Sequence, residues 1–184
     1  MDKSIIKVRS MSFKYADKYI FKDFDMDIDT NSFVCIIGRN ASGKSTLVKI
    51  LGGLCKASGY INVDGYLLND TYIKKIRRSL AICFDDADRH FIGDTVFDDL
   101  AFSLENLGYF PKEIENMVNN IAKKFKIDDI LDMSAEKIND SEKEKVMIAS
   151  SLIFNPKILL LDESIHKLTP NDKKLVFKIL DEYK

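Results

Sequence analysis

Gly38-Arg39-Asn40-Ala41-Ser42-Gly43-Lys44-Ser45-Thr46 fits G-x-x-x-x-G-K-[ST] at every defined position. Before it, Phe33-Val34-Cys35-Ile36-Ile37 is apolar throughout and predicts a buried strand. After it, Leu47-Val48-Lys49-Ile50-Leu51 predicts a helix. Strand, glycine loop and helix form the context in which this pattern holds phosphate. The loop turns its backbone N–H groups onto one point, and the helix N-terminus adds unpaired donors and partial positive charge. Gly38 and Gly43 are expected to supply the positive φ and close approach that a side chain would block. Lys44 is expected to reach the β- and γ-phosphates and the Ser45 hydroxyl to hold Mg²⁺, with Asn40, Ala41, Ser42 and Thr46 completing the loop.

The rest of the chain bounds what such a loop can serve. A length of 184 residues suits one domain, with room for an inserted subdomain. Hydrophobic residues make up 46%, enough for a sizeable core, and the formal net charge of −1 gives no sign of a general nucleic-acid binder. No apolar run approaches bilayer length. Met1-Asp2-Lys3-Ser4 leads directly into a strand pattern, so no signal peptide is expected. Cys35, Cys55 and Cys83 lack metal spacing and are expected to be reduced thiols of a cytoplasmic protein, Cys35 and Cys83 as small core residues.

Ile6, Val8, Met11, Phe13 and Tyr15 alternate with polar residues, as do Phe24, Met26 and Ile28. Both stretches predict antiparallel strands with one wet face. Tyr60-Ile61-Asn62-Val63 predicts a strand closed by the turn pair Asp64-Gly65, residues 70–78 a short helix, and Leu80-Ala81-Ile82-Cys83-Phe84 a buried strand. The period then becomes helical. A helix over 95–107 is capped by Gly108, Pro111 opens the next, 127–133 is a short piece, and 146–154 is helical again. Asn155-Pro156 breaks that helix before an apolar strand over 157–161, and Pro170 starts a last helix.

The apolar strand ends in Asp162-Glu163. In P-loop NTPases a strand beside the phosphate loop delivers such an aspartate to Mg²⁺. Glu163, one residue on, faces the other side of the strand end, where it can polarise a water attacking the γ-phosphate.

Taken with these motifs, the sequence resembles the nucleotide-binding subunit of an ABC transporter, above all the ATPases of energy-coupling-factor vitamin and cobalt importers. The resemblance covers residues 5–184. It rests on Phe13-x-Tyr15, the phosphate loop, Ser58-Gly59-x-Ile61-x-Val63-Asp64-Gly65, the run Thr95-Val96-x-Asp98-Asp99-x-Ala101-Phe102-x-Leu104-Glu105-Asn106-Leu107-Gly108, and the strand ending in Asp162-Glu163. It implies an α/β fold: a P-loop NTPase (RecA-like) core with an N-terminal antiparallel β subdomain and an inserted helical subdomain. Residues 1–184 would be one ATP-binding domain, incomplete at its C-terminus, with 85–154 as the helical subdomain and 85–140 facing the membrane partner. Tyr15 would stack on adenine.

Three departures from the family pattern shape the expected activity. Where the family has a glutamine, this chain has Asp85, which as a hard oxygen donor is a candidate ligand of Mg²⁺; His90 lies where the importer branch often has a second glutamine. The signature Leu-Ser-Gly-Gly-Gln aligns with Ile138-Asn139-Asp140-Ser141-Glu142. In the family that segment caps the γ-phosphate of ATP held by the opposite subunit. A carboxylate about 5 Å from that phosphate opposes binding by roughly 3 kcal/mol at an effective dielectric of about 20, before screening. Ser141-x-x-Glu144 is expected to form a capping box that uses up the helix's own donors. Finally, the chain stops before the family's switch histidine, as a fragment or an abbreviated subunit, and His166 is expected to be an ordinary loop residue.

The expectation is therefore an ABC-type ATP hydrolase with weak or absent activity in isolation. Its cofactors are ATP and Mg²⁺, held by Tyr15, residues 38–46, Asp162 and Asp85, with Lys44 and Glu163 catalytic. Its partners are a second ATPase subunit, in a heterodimer, and a transmembrane transporter subunit, with no nucleic acid, on the cytoplasmic face of the membrane. The alternatives are an ATP-binding subunit that does not hydrolyse, and a soluble ABC-type ATPase outside transport.

Overall fold

The computed structural model describes residues 3–84 and 91–183. The chain forms two compact units, the first reaching Ala81 and the second running Ile82–Tyr183.

In the first unit, β1 (Ser4–Tyr15) and β2 (Lys18–Asp29) pair antiparallel, with Ile6 opposite Ile28, Val8 opposite Met26 and Phe13 opposite Phe21. The period-2 pattern decides which face turns inward. Ile6, Val8 and Met11 are buried, and the aspartates of β2 stay in water. β3 (Ser58–Val63) joins the free edge of β1, and the short β4 (Tyr66–Leu67) follows it across the Asp64-Gly65 turn, giving the order β2-β1-β3-β4. The register of β1 shifts around Ser10, which sits at φ 47. Side chains satisfy amides near this irregularity: Ser10 N–H donates to Asp25 Oδ1 at 2.6 Å, and Asp23 N–H to Ser12 Oγ at 3.0 Å. Gly59 makes the close approach to this kink possible, because a Cβ there would lie 2.6 Å from the Ser10 carbonyl oxygen. Helix α1 (Lys44–Leu51) buries Leu47, Val48, Ile50 and Leu51, and α2 (Ile73–Ile76) is a single turn, shorter than the 70–78 span expected.

The buried strand expected over 33–37 does not form. Residues 32–39 are irregular and residues 31–42 are exposed, Ile37 by 89%. An apolar run becomes a central strand only where neighbours pair its amides. Among the described residues no ladder reaches it. Cys35 is accordingly exposed and not a core residue.

The second unit carries the main apolar core. β6 (Ile158–Leu161) pairs with β5 (Leu80–Cys83). Four helices pack around them: α3 (Val96–Leu107), α4 (Pro111–Phe125), α5 (Asp140–Leu152) and α6 (Pro170–Glu182). Leu100, Leu104, Val118, Phe125, Ile148, Leu152 and Val176 lie at its centre. The ends are set by residues the sequence marks. Thr95 and Asp98 cap α3 reciprocally, and Gly108 closes it in the left-handed region. The next two N–H groups of α3, Val96 and Phe97, donate to the carbonyls of Met133 and Leu131 at 2.9 Å, so its N-terminus is satisfied without water.

Candidate functional site

In the first unit, the chain turns at Asn40-Ala41, with Ala41 at φ 61 and Ser42 N–H donating to the Arg39 carbonyl at 3.1 Å. Gly43, at φ 102, is the residue from which α1 starts. A Cβ on Gly43 would lie 2.7 Å from Ile20 Cγ2 and 3.0 Å from Phe21 Cζ, so only glycine lets the loop lie against β2. The expectation for Gly38 is corrected. It is not in the left-handed region, and a Cβ there would meet only the Ser42 side chain, which can rotate away. Lys44 folds back over the loop, and its Nζ donates to the carbonyls of Gly38 at 3.0 Å and Arg39 at 3.2 Å. A compact ammonium held only by backbone carbonyls of its own loop is positioned to exchange those weak acceptors for a stronger anion. Ser45 and Thr46 follow in the first turn of α1.

Tyr15 lies at the hairpin end of β1, 49% exposed, with its ring edge-on to Phe13 at 4.8 Å. Phe13 pairs with Phe21, which packs on Gly43. The hairpin therefore ties an exposed aromatic face to the same end of the unit as the loop. That arrangement suits a base whose phosphates lie on the loop amides.

In the second unit, Asp162 N–H donates to the Cys83 carbonyl at 2.9 Å, which carries the strand pairing one residue past β6 and leaves Asp162 almost buried. Glu163 is exposed and sits at φ 57. Asp85 and His90 fall outside the described residues. Among the described residues no group of three His, Cys, Asp or Glu side chains could hold a metal by itself. A Mg²⁺ ion bound with a nucleotide does not need one, since it takes one or two carboxylates, waters and phosphate oxygens. Ser45 in the first unit and Asp162 in the second each carry an oxygen of the kind that donor set uses.

The capping box of α5 lies two residues before the one expected. Asn139 Oδ1 accepts from Glu142 N–H at 3.0 Å and Glu142 Oε2 from Asn139 N–H at 2.8 Å. Ser141 and Glu144 are already inside the helix and buried. The Ser141 hydroxyl donates to Asp172 Oδ2 at 2.7 Å and accepts from Thr169 N–H at 3.1 Å. Glu144 Oε1 accepts from Lys167 N–H at 2.9 Å, and His166 Nδ1 lies 2.7 Å from the Glu163 carbonyl oxygen. None of these roles was expected. One signal was available: Ser141, Glu144, Ile148 and Leu152 recur at helical spacing, so a carboxylate stands on the buried stripe. Burial holds the Cys83 thiol up at about 11, so it stays protonated, although hydrogen bonding with Ser164 and Ser151 pulls the other way.

Known proteins resemble this chain over nearly its whole length. The ABC transporter family matches residues 21–166. The energy-coupling factor transporter ATP-binding protein EcfA1 of Mesomycoplasma hyopneumoniae (strain J) is 40% identical over 182 residues, covering 97% of this chain and 67% of its own length. Its counterpart EcfA of Pediococcus pentosaceus is 36% identical over 183 residues, covering 97% of this chain and 65% of its own. The chain thus spans about two thirds of the length of these relatives. A solved structure of cbiO1 from Clostridium perfringens, part of the ABC transporter complex cbiONQ, superimposes with a TM-score of 0.85 at 31% identity, over 98% of this chain and 74% of that one.

Proposed function

The chain belongs to the ABC transporter family, and from that membership we propose that it binds MgATP as an ATP-binding subunit of an energy-coupling-factor importer. Its fold class is the family's, mixed α/β with an antiparallel β part and helical parts. No helix among the described residues is long and apolar enough to cross a membrane, so membrane attachment in this reading comes through a transmembrane partner. The partner ATPase would be a second, different subunit. Membrane attachment would be on the cytoplasmic face.

The observation that carries the reading is Lys44 folded onto Gly38 and Arg39 where the loop enters α1. Lys44 and the loop amides would bind the phosphates, Tyr15 the adenine, and Ser45 and Asp162 the metal. Mg²⁺ would supply charge neutralisation at the β- and γ-oxygens. ATP hydrolysis is the general activity of the family, and Glu163 would orient the attacking water. A second reading, in which ATP is held without turnover, draws support from the Asn139–Glu142 box, which occupies donors at the start of α5.

The test is titration calorimetry of MgATP into the chain and into Lys44→Ala. The substitution removes an ammonium that touches only loop carbonyls, so the fold should survive and measurable affinity should vanish. Undiminished affinity would remove the phosphate-loop assignment. Single-turnover hydrolysis, with and without the second subunit, separates the two readings.

A further inference from the structure

Glu144 lies in the first half of α5 with no exposed surface. A carboxylate withdrawn from water is tolerated only where other groups replace its hydration. Here the segment after β6 supplies that replacement at one oxygen, while Oε2 is buried with no hydrogen-bond partner among the described residues. Oε1 accepts the Lys167 N–H at 2.9 Å and lies 3.5 Å from His166 Nδ1. The same ring nitrogen is 2.7 Å from the carbonyl oxygen of Glu163. A carbonyl can only accept, so Nδ1 carries the proton whether the ring is neutral or charged. The imidazole N–H therefore points at Glu163, with the Glu144 carboxylate beside it.

One buried oxygen thus holds Lys167 directly and, through the ring, reaches Glu163. Glu163 needs such a hold. Its φ of 57 is a conformation that a non-glycine residue keeps only when its surroundings impose it. The base from which Glu144 acts is firm, since Val146, Met147, Ile148 and Ala149 on the following turn are all buried in the core.

We propose that Glu144 is a positioning residue for Glu163: it fixes the 163–167 segment, through Lys167 N–H and His166, in the shape that presents the Glu163 carboxylate. The inference rests on the reading above in which Glu163 orients the attacking water. It adds that the helix led by 138–142 and the hydrolytic segment of the same chain are one mechanical piece.

The test has two arms on the full chain. In the first, amide hydrogen exchange is read at Lys167 in wild type, Glu144→Gln and Glu144→Ala. The alanine variant should exchange at least about tenfold faster there, with α3 and α4 amides unchanged. The glutamine variant, whose amide oxygen accepts the same N–H, should stay near wild type. In the second, single-turnover MgATP hydrolysis is measured in the chain assembled with its partner subunits. Glu144→Ala should lower the rate by about tenfold to a hundredfold, the worth of one hydrogen bond to a charged group. MgATP affinity should change less than about twofold, and Glu144→Gln should recover most of the rate. Exchange at Lys167 unchanged in the alanine variant, or full turnover beside an active wild type, overturns the proposal. A wild type that binds MgATP without turning it over overturns the hydrolytic reading instead, and the exchange arm then decides alone whether Glu144 holds the segment. If Glu144→Ala loses protection throughout α3 and α4, His166→Ala decides. It removes the clasp on Glu163 from the surface and should slow turnover without weakening MgATP, and unchanged turnover there overturns the proposal.

Discussion

Tyr15 concentrates the adenine question in one side chain. Its ring is half exposed and braced edge-on by Phe13, so one face is free to stack. Tyr15→Ala is expected to weaken MgATP binding by roughly 1–3 kcal/mol, the usual worth of a base–aromatic stack, while Tyr15→Phe stays nearly neutral. Calorimetry on both variants checks it. Equal damage from phenylalanine would mean that the hydroxyl, not the face, matters. At this scale the sequence reveals residues whose role is local. Lys44 follows Gly43 in the phosphate-loop pattern, and in the structure its ammonium donates to the Gly38 carbonyl of that loop. His166 was unreadable because its partners, Glu144 and the Glu163 carbonyl, are defined only once α5 packs beside the end of β6. Cys35 misled for the reverse reason: apolar neighbours in sequence do not guarantee apolar neighbours in space.

Among the elements, α5 and α6 are joined through polar side chains at their N-terminal ends. Asp172 accepts the hydroxyls of Ser141 and Thr169, both at 2.7 Å, and lies 3.5 Å from Lys145 Nζ. Burial alone would raise its pKa, but the two hydroxyls and Lys145 outweigh that and hold it below the ordinary carboxylate value. A carboxylate with a depressed folded pKa stabilises the fold fully above its unfolded value of about 3.9, and that stability is lost as pH falls through the lower folded value. Asp172→Asn should therefore cost about 1–2 kcal/mol at pH 7 and flatten the acid limb of the unfolding curve. Urea titrations between pH 3 and about 7 read both effects. An unchanged acid limb would assign that limb to other carboxylates. Helix ends were the most legible elements, since Thr95, Gly108, Pro111 and Pro170 mark them chemically. The start of α5 at Asp140 was placed late, two residues by the capping box expected at Ser141 and six by the apolar period read from Val146, because Asn139-Asp140-Ser141-Glu142 is polar and the apolar stripe begins only later.

For the whole molecule, the proposed pairing with a second ATPase predicts an unequal pair of sites. A site built on Lys44 would receive the partner's signature, and the opposite site would face 138–142 with its two carboxylates. Glu163→Gln should then remove most of the ATPase activity of the reconstituted pair, and the same change in the partner little. Steady-state rates of the two variants check the ranking, and the reverse ranking would make this chain's own site the inert one. The division into two units was not legible, because the boundary between Ala81 and Ile82 falls inside β5 with no linker or change of composition. The exposed run Phe33-Val34-Cys35-Ile36-Ile37 has a consequence for handling the chain. Uncharged, free of proline and glycine, and rich in β-branched and aromatic residues, it has the composition that stacks in cross-β fibrils. If that run pairs between copies, loss of soluble material on storage is expected to begin as an encounter between two of them, with an initial rate that climbs with the square of concentration.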